Sequence, residues 1–236
     1  MVTGILVSVN YSDFLAFVLP RNISQFDKII VLTIKSDKEC QKICKKYKNV
    51  LCLVFEDEII KKNNKSFNKG ALLNKALEYL DSINYSSWLV FTDSDILFPS
   101  TFKKMVDDLP ITPNVLFSLD RYDFETYSQY SEFEKTSDLS LLGNKYYCSF
   151  AGYCQVFLYR KNQYYLTEYA DACDVDWIFL KKFGRTRLSK RKVLCSSANP
   201  EPHPFKYISD TEYVIHLGVE GENHFGRKTV TFKFDN

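Results

Sequence analysis

The stretch Trp88-Leu89-Val90-Phe91-Thr92-Asp93-Ser94-Asp95-Ile96-Leu97-Phe98-Pro99 decides how the rest of the chain is read. An apolar run enters an Asp-x-Asp pair and then turns apolar again. Trp88 to Thr92 reads as a buried strand, because both faces are apolar and β-formers dominate. Side chains alternate along a strand, so Asp93 and Asp95 are expected to share one face at its C-terminal end. Two carboxylates flanked by apolar residues are costly unless something cationic pairs with them. A divalent ion held by oxygen ligands, itself holding a diphosphate, meets that need. A polar turn closing a strand has the same composition, and Asp-x-Asp is short enough to arise by chance.

Upstream, strands and helices alternate. Residues 4–9 read as a first strand, and Asp13 to Leu19 as a short helix stopped by Pro20. Lys28 to Thr33 is a second strand, Lys38 to Tyr47 a helix, and Val50 to Phe55 a third strand. Lys69 to Leu80 is the clearest helix, with Leu72, Leu73, Ala76, Leu77 and Leu80 on one side. A β-α-β-α-β-α-β order predicts an α/β fold, with a mostly parallel central sheet flanked by helices. In such sheets ligands bind beyond the carboxyl ends of the strands, where Asp93 and Asp95 lie.

Downstream the pattern is less regular. Val115 to Leu119 and Gln155 to Tyr159 read as strands, Asp176 to Phe183 as a helix, and Tyr213 to His216 as a short strand. The Tyr-rich segment 122–147 reads as a long loop or flap. Ser196 to Pro204 reads as a Pro-containing loop. No repeat or linker divides the chain, so one domain over 1–236 is expected. Its first half, about 1–100, is expected to bind a nucleotide, and its second, about 101–236, to form the side that faces an acceptor.

Bulk properties exclude several classes. A 45% hydrophobic, 16% aromatic composition builds a core rather than a disordered chain. Lys and Arg number 31 against 29 acids, a net charge of +2 that gives no reason to expect nucleic acid. No apolar run approaches the roughly 20 residues that span a bilayer, and Gly4-Ile5-Leu6-Val7 lacks the form of a secretory signal. A cytoplasmic protein is expected. The 7 cysteines, Cys40, Cys44, Cys52, Cys148, Cys154, Cys173 and Cys195, are odd in number and hold no Cys-x-x-Cys pair, so they read as free thiols.

Several motifs, taken in order, resemble family 2-like glycosyltransferases with the GT-A fold, the Rossmann-like fold of nucleotide-diphospho-sugar transferases. They are Val7-Ser8-Val9-Asn10-Tyr11-Ser12-Asp13, Val31-Leu32-Thr33 with Asp37, and Ser66-Phe67-Asn68-Lys69-Gly70-Ala71-Leu72-Leu73-Asn74. Thr92-Asp93-Ser94-Asp95, Gly152-Tyr153-Cys154-Gln155 and Asp176-Trp177-Ile178-Phe179 follow. His216-Leu217-Gly218 with Asn223-His224-Phe225-Gly226-Arg227 closes the series. The resemblance covers about residues 4–227. His224 stands where that family often has Trp, and the segment 122–147 matches poorly.

The resemblance implies a nucleotide-sugar donor, with UDP as the expected nucleotide, and a carbohydrate or glycoconjugate acceptor. It also implies a divalent metal, Mn2+ or Mg2+. Asp95 is then the direct metal ligand, and Asp93 contacts the metal through water or the ribose. His216, at the end of an apolar strand, is the third ligand; imidazole suits manganese, although a core histidine bonded to backbone has the same sequence context. Asp176 is the candidate general base, chosen by the Asp-x-x-Phe match, with Asp174 as the second candidate. One of these two acids is explained by helix capping alone.

Asn10, Thr33 and Asp37 are implied to touch the nucleoside. Lys69 could reach a phosphate or sugar, and Asn74 lies one helical turn beyond Gly70. Gly152 would let the backbone approach the donor sugar, with Gln155 reading a sugar hydroxyl. Asn223 and Arg227 lie in a closing loop, where Arg227 could clamp the diphosphate. Two other readings stay open. A sugar-nucleotide nucleotidyltransferase would want a Gly-rich basic loop after the first strand, where this chain has Asn10-Tyr11-Ser12-Asp13. A non-catalytic carbohydrate-binding protein on a decayed transferase fold is the other.

Overall fold

A computed structural model describes residues 1–111, 115–143, 145–146, 153–161, 166–170, 172–183, 205–207, 212–218 and 234. In chain order the elements begin β1 (Val2–Val7), α1 (Ser12–Asn22), β2 (Lys28–Ile34), α2 (Lys38–Cys44), β3 (Val50–Phe55), α3 (Lys69–Ser82), β4 (Trp88–Asp93) and β5 (Ile96–Leu97). They continue with α4 (Phe102–Asp107), β6 (Leu116–Ser118), β7 (Asp120–Phe124), α5 (Tyr127–Thr136), β8 (Lys145–Tyr146), β9 (Gln155–Leu158), α6 (Ala172–Leu180), β10 (Phe205–Tyr207) and β11 (Tyr213–Leu217).

The main sheet runs β10-β6-β9-β4-β1-β2-β3. Its pairs β1–β2, β1–β4, β2–β3 and β6–β10 are parallel, while β9 lies antiparallel between β4 and β6. The chain is thus a mixed α/β protein with a mostly parallel central sheet flanked by helices, as its β-α alternation predicts. β1 is buried along its whole length, which a central parallel strand covered on both faces requires.

Each face of the sheet has its own core. On one, Ile5, Ile30, Leu32 and Phe91 meet Leu72, Leu73 and Leu77 of α3 and Val175 and Phe179 of α6. The rings of Phe91, Phe157 and Phe179 pack there with centroids 5.1 to 5.4 Å apart, in edge-to-face and tilted arrangements, the first of which aromatic rings favour. On the other face, Leu6, Val31, Val90 and Val156 meet Leu15 and Leu19 of α1, Cys40 and Ile43 of α2, and Phe102 and Val106 of α4.

A second sheet of four strands runs β5-β11-β7-β8. It overturns the expectation of a loop over 122–147. β7 pairs in parallel with β11, and the Thr126 side chain accepts a hydrogen bond from Gln129 N–H, capping α5. Phe124 and Tyr130 are buried against Phe14 and Val18 of α1 and Leu97 of β5. Two of the aromatic residues that gave this segment its loop-like composition are therefore core, with Tyr127 and Phe133 partly buried against them. Pro20 also does not stop α1, which continues to Asn22. So near the helix end, its missing N–H forfeits a single intrahelical bond.

Among the described residues no helix is long and apolar enough to cross a membrane. The predicted loop 196–204 lies outside the described residues.

Candidate active site

Five elements, β4, α3, α6, β7 and β11, together with the turn before β5, deliver charged side chains to the C-terminal ends of β1 and β4. Asp93 is the last residue of β4, and the strand's alternation does not extend to Asp95, which falls in the turn before β5. The two carboxylates therefore meet different partners.

Asp93 Oδ1 lies 2.8 Å from Lys69 Nζ, whose other carboxylate partner is Asp176 Oδ2 at 3.1 Å. Lys69 opens α3, whose first turn is capped by Asn68 through Ala71 N–H. The Lys69 and Asp176 side chains are 8% and 6% exposed, while that of Asp93 is 41% exposed. Burial works against the Lys69 charge, but the two carboxylates outweigh it and hold the pKa above its ordinary value. Lys69 is thus a cation fixed between one buried carboxylate and one open to the crevice.

Asp95 is buried and faces His216 of β11, with Oδ2 3.5 Å from Nε2. The chain around it is tightly held. Asp95 C=O accepts from Leu217 N–H at 3.0 Å, and the Asn22 side chain donates to Ile96 C=O and accepts from Phe98 N–H. His216 is flanked in register by Ile96 on one neighbouring strand and Asp123 on the other. Its Nδ1 lies 3.0 Å from Asp123 Oδ1, and Arg121 Nε lies 2.9 Å from that same oxygen. Burial pushes the His216 pKa down, but the Asp95 charge and hydrogen bonds with Asp123 and Asp95 outweigh it, pushing it up to about 9.

Arg121 and Asp123 escaped sequence reasoning, which took their segment for a flap. The available signal was the opposite-charge pair at i, i+2 in Asp120-Arg121-Tyr122-Asp123-Phe124, which a strand places on one face.

Among the described residues, no three His, Cys, Asp or Glu side chains form a group that could hold a metal ion. The trio Asp93, Asp95 and His216 is not assembled as one set, because Asp93 is turned to Lys69. Asp95 and His216 do fit as a pair. Donors 3.5 Å apart suit neighbouring corners of a coordination shell, whose bonds of roughly 2.1 Å place adjacent ligands about 3.0–3.5 Å apart. A carboxylate oxygen with an imidazole nitrogen is a donor set that Mn2+ accepts.

The other expected residues divide. Asp176 joins the cluster, whereas Asp174 is exposed on α6. Asp37 caps α2 through Cys40 N–H and accepts Asn10 N–H at 2.8 Å, holding Asn10 at a left-handed φ of 61°. The pair shapes the loop after β1. Thr33 and Gln155 are fully buried in the sheet. Asn74 faces away from the cluster. Its amide bonds both Leu166 N–H and Leu166 C=O, at 2.7 and 3.0 Å, and also Glu168. Gly152, Asn223 and Arg227 lie outside the described residues.

No protein-family model matches the chain, and no curated protein matches it. Solved structures to which it is similar include 4-diphosphocytidyl-2C-methyl-D-erythritol synthase from Anaerococcus prevotii, at 14% identity over 53% of this chain and 55% of that one, with a TM-score of 0.35. Mannose-6-phosphate isomerase from Helicobacter pylori is another, at 16% identity over 66% and 70%, TM-score 0.37. A third is glucosyl-3-phosphoglycerate synthase from Mycobacterium tuberculosis, solved with Mn2+, UDP and phosphoglyceric acid, at 13% identity over 67% and 55%, TM-score 0.36. The chain spans about half the length of the first of these. Likenesses this remote carry no weight for function, which rests on the site itself.

Proposed function

We propose that this protein is a metal-dependent glycosyltransferase, moving a sugar from a nucleotide-diphosphate sugar, a UDP-sugar, to an acceptor hydroxyl with inversion. The observation that carries the reading is the meeting of two buried charge groups at the strand ends, Asp95 with His216 and Lys69 with Asp93 and Asp176. The order of motifs around them supports it. A parallel-sheet crevice is the place where such a donor binds.

Asp95 and His216 would hold a divalent ion, Mn2+ or Mg2+, whose Lewis acidity offsets the charge on the leaving diphosphate. Two protein donors leave room for phosphate oxygens and water. Asp93, half open to the crevice, reaches toward the ribose. Lys69, held between Asp93 and Asp176, is a fixed positive charge for the diphosphate. Asp176 accepts the proton of the acceptor hydroxyl. The freed oxygen bonds to the anomeric carbon from the face opposite the diphosphate, and the bond from that carbon to the diphosphate oxygen breaks. Asn10 and Asp37 shape the nucleoside end, with Thr33 and Gln155 packed behind. Gly152, Asn223 and Arg227 are assigned to the donor from the motif resemblance alone.

Calorimetric titration of UDP and GDP, with and without Mn2+, tests this reading. The expected result is Mn2+-dependent UDP binding that Asp95→Asn abolishes, followed by release of UDP from its sugar conjugate. A well-folded protein that binds neither nucleotide overturns it.

A further inference from the structure

We propose that Asp123, itself clamped by Arg121, is a positioning residue that commits His216 Nδ1 to donation and turns Nε2 toward Asp95 as the open ligand. The inference rests on the metal-dependent reading above and adds two residues that the motif resemblance does not include.

A carboxylate only accepts hydrogen bonds, so the 3.0 Å contact between His216 Nδ1 and Asp123 Oδ1 places the hydrogen on Nδ1. A neutral ring then carries its lone pair on Nε2, which faces Asp95 Oδ2 at 3.5 Å. Two lone pairs facing each other in a buried site require a cation between them. In the metal-free protein a proton fills that role; in the loaded protein a metal ion does.

Asp123 cannot easily turn away. Its side chain is 3% exposed, Arg121 Nε lies 2.9 Å from Oδ1, and Arg121 Nη2 donates to Oδ2 at 3.3 Å. The guanidinium is in turn set over the Tyr153 ring, 5.0 Å from its centroid. Tyr153 is anchored through its hydroxyl to Leu119 C=O and through its own C=O to Thr92 Oγ1, next to Asp93. A chain of contacts therefore runs from β4 through Tyr153 and Arg121 to Asp123 and His216. Carboxylates behind a ligating imidazole fix its tautomer and raise its basicity. The parallel register of β7 with β11, which sets Asp123 opposite His216, makes the contact.

Asp123→Asn separates this role from simple packing. With the new amide oxygen at the Oδ2 position, where Arg121 Nη2 donates, the NH2 faces Nδ1 and forces the ring hydrogen onto Nε2, where it blocks the metal. The expected result is a loss of roughly 10–100-fold in Mn2+ affinity in the presence of UDP, read by calorimetry at a temperature where the variant is folded. The second readout is the His216 tautomer, from ring nitrogen shifts of the metal-free protein above the ring's titration point. The chain has 3 histidines, which keeps assignment simple. Wild type is expected as the Nδ1–H form and Asp123→Asn as the Nε2–H form.

If Asp123→Asn fails to fold, the wild-type tautomer still decides, because an Nε2–H ring overturns the inference. Wild-type affinity in Asp123→Asn overturns it too, leaving the metal-dependent reading intact. Wild-type protein that binds no Mn2+ in any of these mixtures overturns both.

Discussion

Lys69 Nζ lies 3.1 Å from Asp176 Oδ2, tying α3 to α6 by an ion pair buried on both sides. Removing one member of such a pair leaves the other charge buried without compensation, at a cost of about 3–5 kcal/mol. Lys69→Met is therefore expected to destabilise the protein on that scale in urea unfolding. The double variant Lys69→Met/Asp176→Asn should recover a good part of the loss, because the buried carboxylate is then neutral and the one that remains, Asp93, is 41% exposed to solvent. Equal stabilities for the single and double variants would show that the pair contributes packing rather than charge.

His216 gives stability a pH dependence with a fixed sign. Its pKa is raised in the folded protein, from 6.5 to about 9, by the Asp95 charge and the bonds with Asp123 and Asp95, against the opposing effect of burial. A raised pKa stabilises the fold fully below the unfolded value, and that stability is lost as pH rises through the folded one. With metal chelated, the melting temperature should fall between about pH 6.5 and 9 more steeply in wild type than in His216→Gln. Metal binding displaces the ring proton, so Mn2+ affinity should rise across the same window with measurable proton release.

How far the sequence led differs between the two halves, for physical reasons. β1 to β4 and α3 were legible because their signals are local: short runs of apolar β-formers, buried on both faces in β1, β2 and β4, and the Asn68 cap ahead of a Leu-rich helix. The segment 120–146 was not legible. Its place depends on β7 finding β11, a pairing between residues 93 apart, and no local pattern encodes that. Asp95 shows a finer failure. Strand alternation assigned it to the face of Asp93, but the strand ends at Asp93, two residues short of it. Asp37 shows how one residue type supports two readings, since a carboxylate that caps a helix and one that touches a nucleoside look alike in sequence.

Gly70 is a point of close approach. A Cβ there would lie 2.1 Å from Thr167 C=O and 3.1 Å from Val175 Cγ2. The obstacle is backbone, so α3 or the segment 166–168 must move. Gly70→Ala is expected to cost about 1–3 kcal/mol, as overpacking does. Because Lys69 is the adjacent residue, UDP binding should weaken in the same variant. Unchanged stability and binding would mean that segment 166–168 yields freely.

Asn74 offers a contrast between holding the fold and holding a ligand. Its amide satisfies both the N–H and the C=O of buried Leu166. Asn74→Ala strands two buried backbone groups, each worth about 1–3 kcal/mol. Lower stability with near-normal UDP affinity per folded molecule is the expected outcome. A large loss of UDP affinity at unchanged melting temperature would instead place Asn74 on the donor.

Asp174 and Asp176 are equally good bases by residue type, and burial separates them. Asp176 stands 3.1 Å from Lys69 in the crevice wall, while Asp174 is exposed to solvent two residues earlier on the same helix. A general base must reach the proton it removes, and a positioned one contributes roughly 10²–10⁴-fold to rate. Asp176→Asn is nearly isosteric and keeps an oxygen for Lys69 Nζ, so Mn2+-dependent UDP binding should survive while sugar transfer falls by about that factor. Asp174→Asn should leave both unchanged. The pH–rate profile sharpens the distinction, since loss of the base removes the limb on which rate rises with pH, whereas damaged packing lowers the whole profile without changing its shape. Transfer that persists in Asp176→Asn and fails in Asp174→Asn would reverse the assignment, and would require α6 to turn in the donor-bound protein so that its exposed acid meets the acceptor.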